Sequence, residues 1–235
     1  MRYIAIAAPF LMLSGTAMAA QTAQERLSDA TAVFSEVMRT PDKGIPQDLL
    51  AKASCVVIVP GLKKGAFVVG GEFGRGFAEC RRPGGRGWGA PAAIRIEGGS
   101  VGFQIGGSST DIVMLVMNQR GMDRLTSDKF TIGADASAAA GPVGRTAQAE
   151  TDLELHAEML TWSRARGAFA GVSLQGATLR PDQDANEQLY GHKMNNKEVL
   201  TSTMPAPDSA HPLIAELDRY SLRKEGSGTA ARERR

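Results

Sequence analysis

The stretch Cys55-Val56-Val57-Ile58-Val59-Pro60-Gly61 determines how the rest of this sequence is interpreted. Its run of β-branched residues favours a buried strand, and the Pro-Gly pair predicts that the strand closes in a turn. Similar short apolar runs, separated by glycine-containing turns, continue along the next part of the chain. We predict strands over residues 56–59, 66–69, 75–80, 92–96, 101–105 and 112–117.

Glycine is concentrated in this same region. Fifteen of the 27 glycines lie between Gly61 and Gly107, without a strict period. Such a density favours tight turns and bulges rather than a collagen-like repeat. The connections are also too short to contain crossover helices, so we predict an antiparallel sheet.

Helical patterns flank the glycine-rich region. Residues 21–39 carry apolar side chains at spacings of three and four, and Pro41 ends the pattern. Weaker signals predict a short helix after Pro46, a helical turn at 121–127, strands from 130, at 153–159 and at 168–175, and helices around 186–190, 196–200 and 212–222. The sequence therefore predicts one α+β domain, a glycine-rich antiparallel β-sheet flanked by N- and C-terminal helices.

The N-terminal sequence predicts a cleaved signal peptide, and the C-terminal sequence predicts a disordered tail. Arg2, an apolar run up to Leu13 and the small-residue pattern Ala17-Met18-Ala19 are typical of a cleavable signal peptide over residues 1–19. The folded domain is then expected over residues 20–222, and the basic segment 223–235 is expected to be disordered. We expect a periplasmic or secreted protein.

The net charge and the absence of complete catalytic motifs argue against a nucleic-acid-binding protein and against an enzyme. The net charge is only +2, from 27 basic and 25 acidic residues, and this does not favour nucleic-acid binding. Dinucleotide-loop, phosphate-loop and nucleophile-elbow patterns are incomplete, and His156, His192 and His211 lack the spacing of metal ligands. We therefore predict a protein that is not an enzyme and that uses no cofactor and no metal.

Cys55 and Cys80 are the only cysteines. Both fall in predicted strands of one sheet, and export would permit a disulfide between them. Two separate small buried side chains fit the sequence equally well, because the distance between the two Cα atoms decides whether a bridge forms.

Basic residues cluster between Gly61 and Arg95, where seven of them stand against two acidic residues. Several fall in predicted turns, from which cations would project towards an anionic surface such as a membrane. The predicted lipid-binding residues are Lys63, Lys64, Arg75, Arg81, Arg82 and Arg86. Separate, solvated side chains are an equally good interpretation of the same pattern.

The apolar stripe of the N-terminal helix also has two interpretations. Phe34, Val37 and Met38 are candidates for insertion between lipid headgroups. A stripe of this size also fits packing on the domain's own sheet, and the acidic polar face of the helix favours packing for at least part of it.

A set of motifs occurs in order along most of the chain. These are Ile45-Pro46, Cys55-Val56-Val57-Ile58-Val59-Pro60, Gly70-Gly71-Glu72-Phe73-Gly74-Arg75-Gly76, Trp88-Gly89-Ala90-Pro91, Gly102-Phe103-Gln104-Ile105-Gly106-Gly107, Gly141-Pro142-Val143-Gly144-Arg145, Phe169-Ala170-Gly171-Val172-Ser173-Leu174 and Leu189-Tyr190-Gly191. Together they resemble the SYLF domain family, also called the Ysc84 family of lipid-binding modules. Gly89 and Trp162 depart from the family pattern, in which serine and tyrosine are usual.

The resemblance implies a non-enzymatic module that associates with anionic phospholipid headgroups or a membrane surface. By position, the amphipathic segment of the family corresponds to residues 27–38, and its basic turn to Lys63-Lys64. Some members bind actin, but the predicted export leads us to expect no actin partner. The alternative is a cell-envelope interaction or structural module that docks a partner protein on its glycine-rich sheet.

Overall fold

The computed structural model describes residues 21–40, 44–66, 69–84, 87–101, 106–141, 157–165, 168–169 and 174–221. Helices from both ends of the chain pack on a curled, mostly antiparallel sheet, which confirms the predicted α+β class. The helices are α1 (Ala23–Arg39), α2 (Gln47–Lys52), α3 (Gln119–Leu125), α4 (Gln183–Tyr190), α5 (Asn196–Thr201) and α6 (His211–Tyr220). The predicted signal peptide and C-terminal tail lie outside the described residues.

The strands form one sheet in the order β5-β9-β3-β2-β1-β4-β7-β6, with β8 paired to β7. They are β1 (Cys55–Ala66), β2 (Val69–Cys80), β3 (Ala92–Val101), β4 (Gly106–Val116), β5 (Phe130–Thr131), β6 (Ala138–Ala140), β7 (Met159–Ala165), β8 (Ala168–Phe169) and β9 (Thr178–Pro181). Strands β5 and β6 follow each other in the chain but lie at opposite ends of this order, and a bridge joins Ile132 to Ala136 between them. The sheet therefore curls until its two edges come close together.

Side chains of the central strands are buried on both faces. Val56 and Ile58 point to the outer face, where they pack with the apolar residues of α1, α2 and α6. Cys55, Val57 and Val59 point to the inner face of the curled sheet. Because neighbouring side chains of a strand point in opposite directions, an uninterrupted apolar run fits a strand that is covered on both sides.

The strands between residues 55 and 80 are longer than the sequence predicted. β1 continues through Pro60-Gly61 to Ala66, so the Pro-Gly pair is not the end of the strand. Of the strand predicted at 66–69, Ala66 belongs to β1 and Val69 to β2, and the two residues between them lie outside the described residues. The predicted helices at 21–39 and 121–127 and those after residue 183 are present, with small differences at their ends. Most of the strands predicted at 101–105, 153–159 and 168–175 lies outside the described residues.

Helix α1 begins with a capping box, in which the Thr22 hydroxyl accepts from the Glu25 backbone N–H and the Glu25 carboxylate accepts from the Thr22 N–H. Phe34 and Val37 are 0% and 2% exposed in the core beneath the helix, and Met38 packs against that core. In this structure all three side chains pack within the domain, because the apolar face of α1 is covered by the sheet and by α6.

Cys55 and Cys80 form a disulfide between β1 and β2. They are directly paired residues of the two antiparallel strands, with Cα atoms 4.0 Å apart. The bridge lies among the inner-face apolar residues and is buried.

Candidate functional site

A β-bulge in β1 sets which side chains face helix α1. At Pro60-Gly61 the strand has one residue more than either neighbouring strand, and Gly61 adopts a φ of 56°. The Asp111 carboxylate fixes this bulge by accepting a hydrogen bond from the Gly61 N–H at 2.9 Å. Because the extra residue shifts the alternation, Leu62 is buried on the inner face and Lys63 points outward.

An open groove of about 730 Å³ lies between α1 and the middle of β1, β2 and β4. Val33, Pro60 and Gly61 are among its uncharged lining residues. Its charged residues are Arg26, Asp29, Glu36, Lys63, Arg75 and Asp111. The groove thus combines charged side chains with apolar parts of its wall.

The sheet side of the groove carries two cations and an aromatic ring. Lys63 pairs with Phe73 across β1 and β2 and is exposed, and it has no ion-pair partner in the described part of the chain. The Arg75 guanidinium lies 5.7 Å from the centre of the Phe73 ring. Phe73 is 45% exposed and is the one large apolar side chain among the described residues that is exposed.

Buried charges support this side of the groove. Arg75 Nε lies 3.4 Å from an Asp182 carboxylate oxygen, and Asp182 also caps α4 by accepting from the Ala185 N–H. Arg26 is 6% exposed and donates to the Gln21 carbonyl oxygen. Burial lowers the pKa of Arg26, and the nearby Asp182 carboxylate opposes that shift.

The helix side of the groove is acidic at its exposed positions. Asp29 is exposed and accepts a hydrogen bond from the Gln21 side chain at 2.6 Å. Glu36 is 57% exposed and binds Arg164 of β7, which also donates to Asp111 at 3.0 Å. Partial burial acts to lower the pKa of Arg164, but its bonds to Asp111 and Glu36 outweigh burial and raise it. This network anchors the C-terminal half of α1 to the sheet.

The predicted lipid-binding residues do not share one surface. Lys63 and Arg75 meet at the groove, whereas Arg81 and Arg82 follow the C-terminal end of β2. Lys63 and Lys64 lie in a strand and not in a turn, and Lys64 binds the buried Glu72 at 2.8 Å. Arg86 lies outside the described residues.

The Arg81 side chain makes its contacts within the domain. Its guanidinium donates to the carbonyl oxygens of Leu50, at the end of α2, and of Ser221, which follows α6, both at 3.2 Å. It also stacks 4.2 Å from the centre of the Trp88 ring. Carbonyl groups at helix ends lack intrahelical partners, so Arg81 satisfies them and joins two helices to the sheet. Arg82 is exposed and donates to the Trp88 carbonyl oxygen at 2.8 Å.

A row of glycines crosses the sheet two residues beyond Lys63. Gly65 pairs with Gly71 on one side and with Gly107 on the other, and Gly71 pairs with Gly99. All four are exposed, and a Cβ atom at Gly65 or Gly99 would meet no atom of the described residues within 4 Å. In the described structure this end of the sheet is therefore bare of side chains at these four positions.

A buried carboxyl group lies at the other end of β2. Glu79 is 2% exposed, and within the described structure neither of its carboxyl oxygens accepts a hydrogen bond. Burial raises the pKa of Glu79 well above its ordinary value, Asp218 raises it further, and Arg82 opposes the shift. Burial therefore disfavours the charged form of Glu79.

Sequence reasoning missed the acidic side of the groove and Phe73. The helical pattern assigns Asp29 and Glu36 only to the polar face of a helix. The spacing of residues 26, 29, 33 and 36 places them on one face of the helix, and this spacing is the sequence feature that could have predicted the helix side of the groove.

The described part of the chain offers no cluster of three or more potential metal ligands among its His, Cys, Asp and Glu residues. None of the helices in that part combines the length and the apolar character needed to cross a bilayer.

Comparison with known proteins identifies the family. Residues 97–220, more than half of the chain, match the model of the Ysc84 family, described as "Las17-binding protein actin regulator". This description gives no support to the expectation that actin is not a partner.

Several relatives align with most of this chain. The human SH3 domain-containing YSC84-like protein 1 is 34% identical over 202 residues, which are 83% of this chain and 58% of the relative. An SH3 domain-containing protein of Schizosaccharomyces pombe is 36% identical over 74% of this chain and 41% of its own length. LAS seventeen-binding protein 3 of Saccharomyces cerevisiae is 32% identical over 75% of this chain and 39% of its own length. The chain thus spans about half the length of these relatives, none of whose names denotes an enzyme, and it belongs to the Ysc84 (SYLF) family.

Proposed function

We propose that this protein is a non-enzymatic module that binds phospholipid headgroups reversibly at an anionic membrane surface. The observation that carries the proposal is the group formed on one side of the groove by the exposed Lys63 and Phe73 and the half-buried Arg75. Two cations next to an exposed aromatic ring combine attraction to phosphate with shallow apolar contact. A periplasmic or secreted location, proposed from the N-terminal sequence, would bring the module to such a surface.

The first test is co-sedimentation of the protein with anionic and neutral vesicles over a series of salt concentrations. We expect binding that requires anionic lipid and weakens with salt, since screening reduces charge attraction. Lys63→Ala should weaken binding about fivefold, the effect of roughly 1 kcal/mol per cation near a charged bilayer. Lys197→Ala removes an exposed lysine of α5 and is the matched control. No binding to anionic vesicles at low salt would contradict the proposal.

A protein partner is the second candidate function. The family description and the name of the Saccharomyces cerevisiae relative both refer to binding Las17 or "LAS seventeen". In this case the bare glycine end of the sheet would accept a partner, and the protein would bind that partner in the absence of lipid. Binding that is unaffected by lipid and by Lys63→Ala would favour this candidate.

A further inference from the structure

The two sides of the groove carry opposite charges that do not neutralise each other. Lys63 and Arg75 stand on the sheet side, and Asp29 and Glu36 stand on the helix side. In the described structure neither cation forms an ion pair with either of these acids; Arg75 instead binds Asp182, and Glu36 binds Arg164. The other two charged residues of the groove are engaged within the chain: Asp111, on the sheet side, accepts from the Gly61 N–H and from Arg164, and the buried Arg26, on the helix side, donates to the Gln21 carbonyl oxygen. The accessible charges are therefore cationic on the sheet side and acidic on the helix side.

This arrangement restricts the ligands that suit the groove. A ligand with only a phosphate is attracted by Lys63 and Arg75 but repelled by Asp29 and Glu36. A ligand with only an ammonium group is attracted by Asp29 and Glu36 but repelled by Lys63 and Arg75. A ligand that carries both groups can place each one against the side of opposite charge, and its N–H groups can donate to the carboxylates.

We propose that the groove recognises headgroups that carry a primary ammonium group in addition to the phosphate, the chemistry of phosphoethanolamine and phosphoserine. The inference rests on the proposed function, and it assigns Asp29 and Glu36 as the residues that bind the ammonium group. Lys63 and Arg75 bind the phosphate. A quaternary ammonium has no N–H to donate, so phosphocholine fits less well.

The direct test is calorimetric titration of the protein with soluble phosphoethanolamine and, separately, with glycerol 3-phosphate. We expect phosphoethanolamine to bind at least about tenfold more tightly, the effect of gaining charge-assisted hydrogen bonds. Equal affinities for the two compounds would overturn the proposal and leave a phosphate site in place.

Variants then locate the selectivity. Asp29→Asn with Glu36→Gln should remove the preference for phosphoethanolamine and leave glycerol 3-phosphate binding equal or tighter. The amide oxygen that Glu36→Gln introduces can still accept from Arg164, so the anchor of α1 is kept. Asp184→Asn with Glu187→Gln removes two exposed acids from α4 and is the matched control. A preference that survives in the Asp29/Glu36 double variant, with thermal unfolding unchanged, would also overturn the proposal.

Vesicles separate this inference from the proposed function. Among vesicles with the same content of anionic phosphatidylglycerol, those whose remaining lipid is phosphatidylethanolamine should bind the protein more tightly than those whose remaining lipid is phosphatidylcholine. Binding to phosphatidylglycerol vesicles without any preference for ethanolamine would leave the proposed function standing and reject the selectivity. If soluble phosphoethanolamine binds but no vesicle does, the result supports recognition of the two charged groups by the groove and identifies the ligand as a free small molecule. The same result rejects the proposed membrane binding.

Discussion

Glycines in the middle of the sheet and glycines at its exposed end differ in what surrounds them. A Cβ atom at Gly76, next to the bulge in β1, would overlap the Ile58 carbonyl oxygen. A Cβ atom at Gly65, in the exposed row, would meet nothing within 4 Å. Packing within the chain therefore explains Gly76 but not Gly65. Substitutions in the middle of the sheet should change stability, and those at the exposed end should affect only the binding of other molecules.

The largest expected effect is that of Gly76→Ala. The added methyl group must displace the β1 backbone at the bulge, which we expect to lower the free energy of unfolding by about 3 kcal/mol or more. Urea unfolding followed by circular dichroism measures the change. A loss below about 0.5 kcal/mol would show that the backbone at the bulge is free to move.

Arg81→Met tests whether basic residues also divide into those that stabilise the fold and those that are exposed for binding. It leaves the carbonyl oxygens of Leu50 and Ser221 without their donor, and we expect a loss of about 2 to 3 kcal/mol in the free energy of unfolding. Lys63→Met, at an exposed residue, should change stability by less than about 0.5 kcal/mol. Similar losses in the two variants would contradict the different roles given to Arg81 and Lys63.

Glu79→Gln should change how stability depends on pH. The raised pKa means that folded Glu79 keeps its proton at pH values where the unfolded chain has lost it. Wild-type stability should therefore fall by up to about 1.4 kcal/mol per pH unit as the pH rises from about 4.5, the ordinary carboxyl value, to the pKa of the folded state. The variant cannot ionise there and should lack this part of the fall. The free energy of unfolding of both proteins is measured between pH 4 and pH 8, roughly the range in which a raised carboxyl pKa acts. Parallel curves of this free energy against pH would contradict the buried position of Glu79.

Gly65→Ala should have the smallest effect. The position is extended and open, so the free energy of unfolding should change by no more than about 0.5 kcal/mol, in either direction. Thermal unfolding beside Gly76→Ala gives the comparison directly. A large loss would mean that the exposed row is covered by another part of the protein.

Local patterns predicted the fold class and most helices, because the spacing in residues 21–39 and the apolar run after Cys55 are set by short-range geometry. The bulge was missed because Pro-Gly is also the usual sequence of a turn. The role of Arg81 was missed because its partners Leu50 and Ser221 are distant in the sequence. For the same reason the sequence placed Lys63 and Arg75 in one basic face but did not show that Asp29 and Glu36 stand opposite them.

The packing of α1 against α6 affects the order in which the chain folds. Phe34 meets Tyr220 edge to face, and the Ser35 hydroxyl donates to Glu216, which is 181 positions later. A ribosome produces the first of these residues well before the last, and long-range contacts of this kind form slowly. The apolar side of α1 therefore lacks its final cover until nearly the whole domain has been synthesised. A growing chain of this protein should remain open to chaperones, or to any machinery that requires an unfolded substrate, for most of its synthesis.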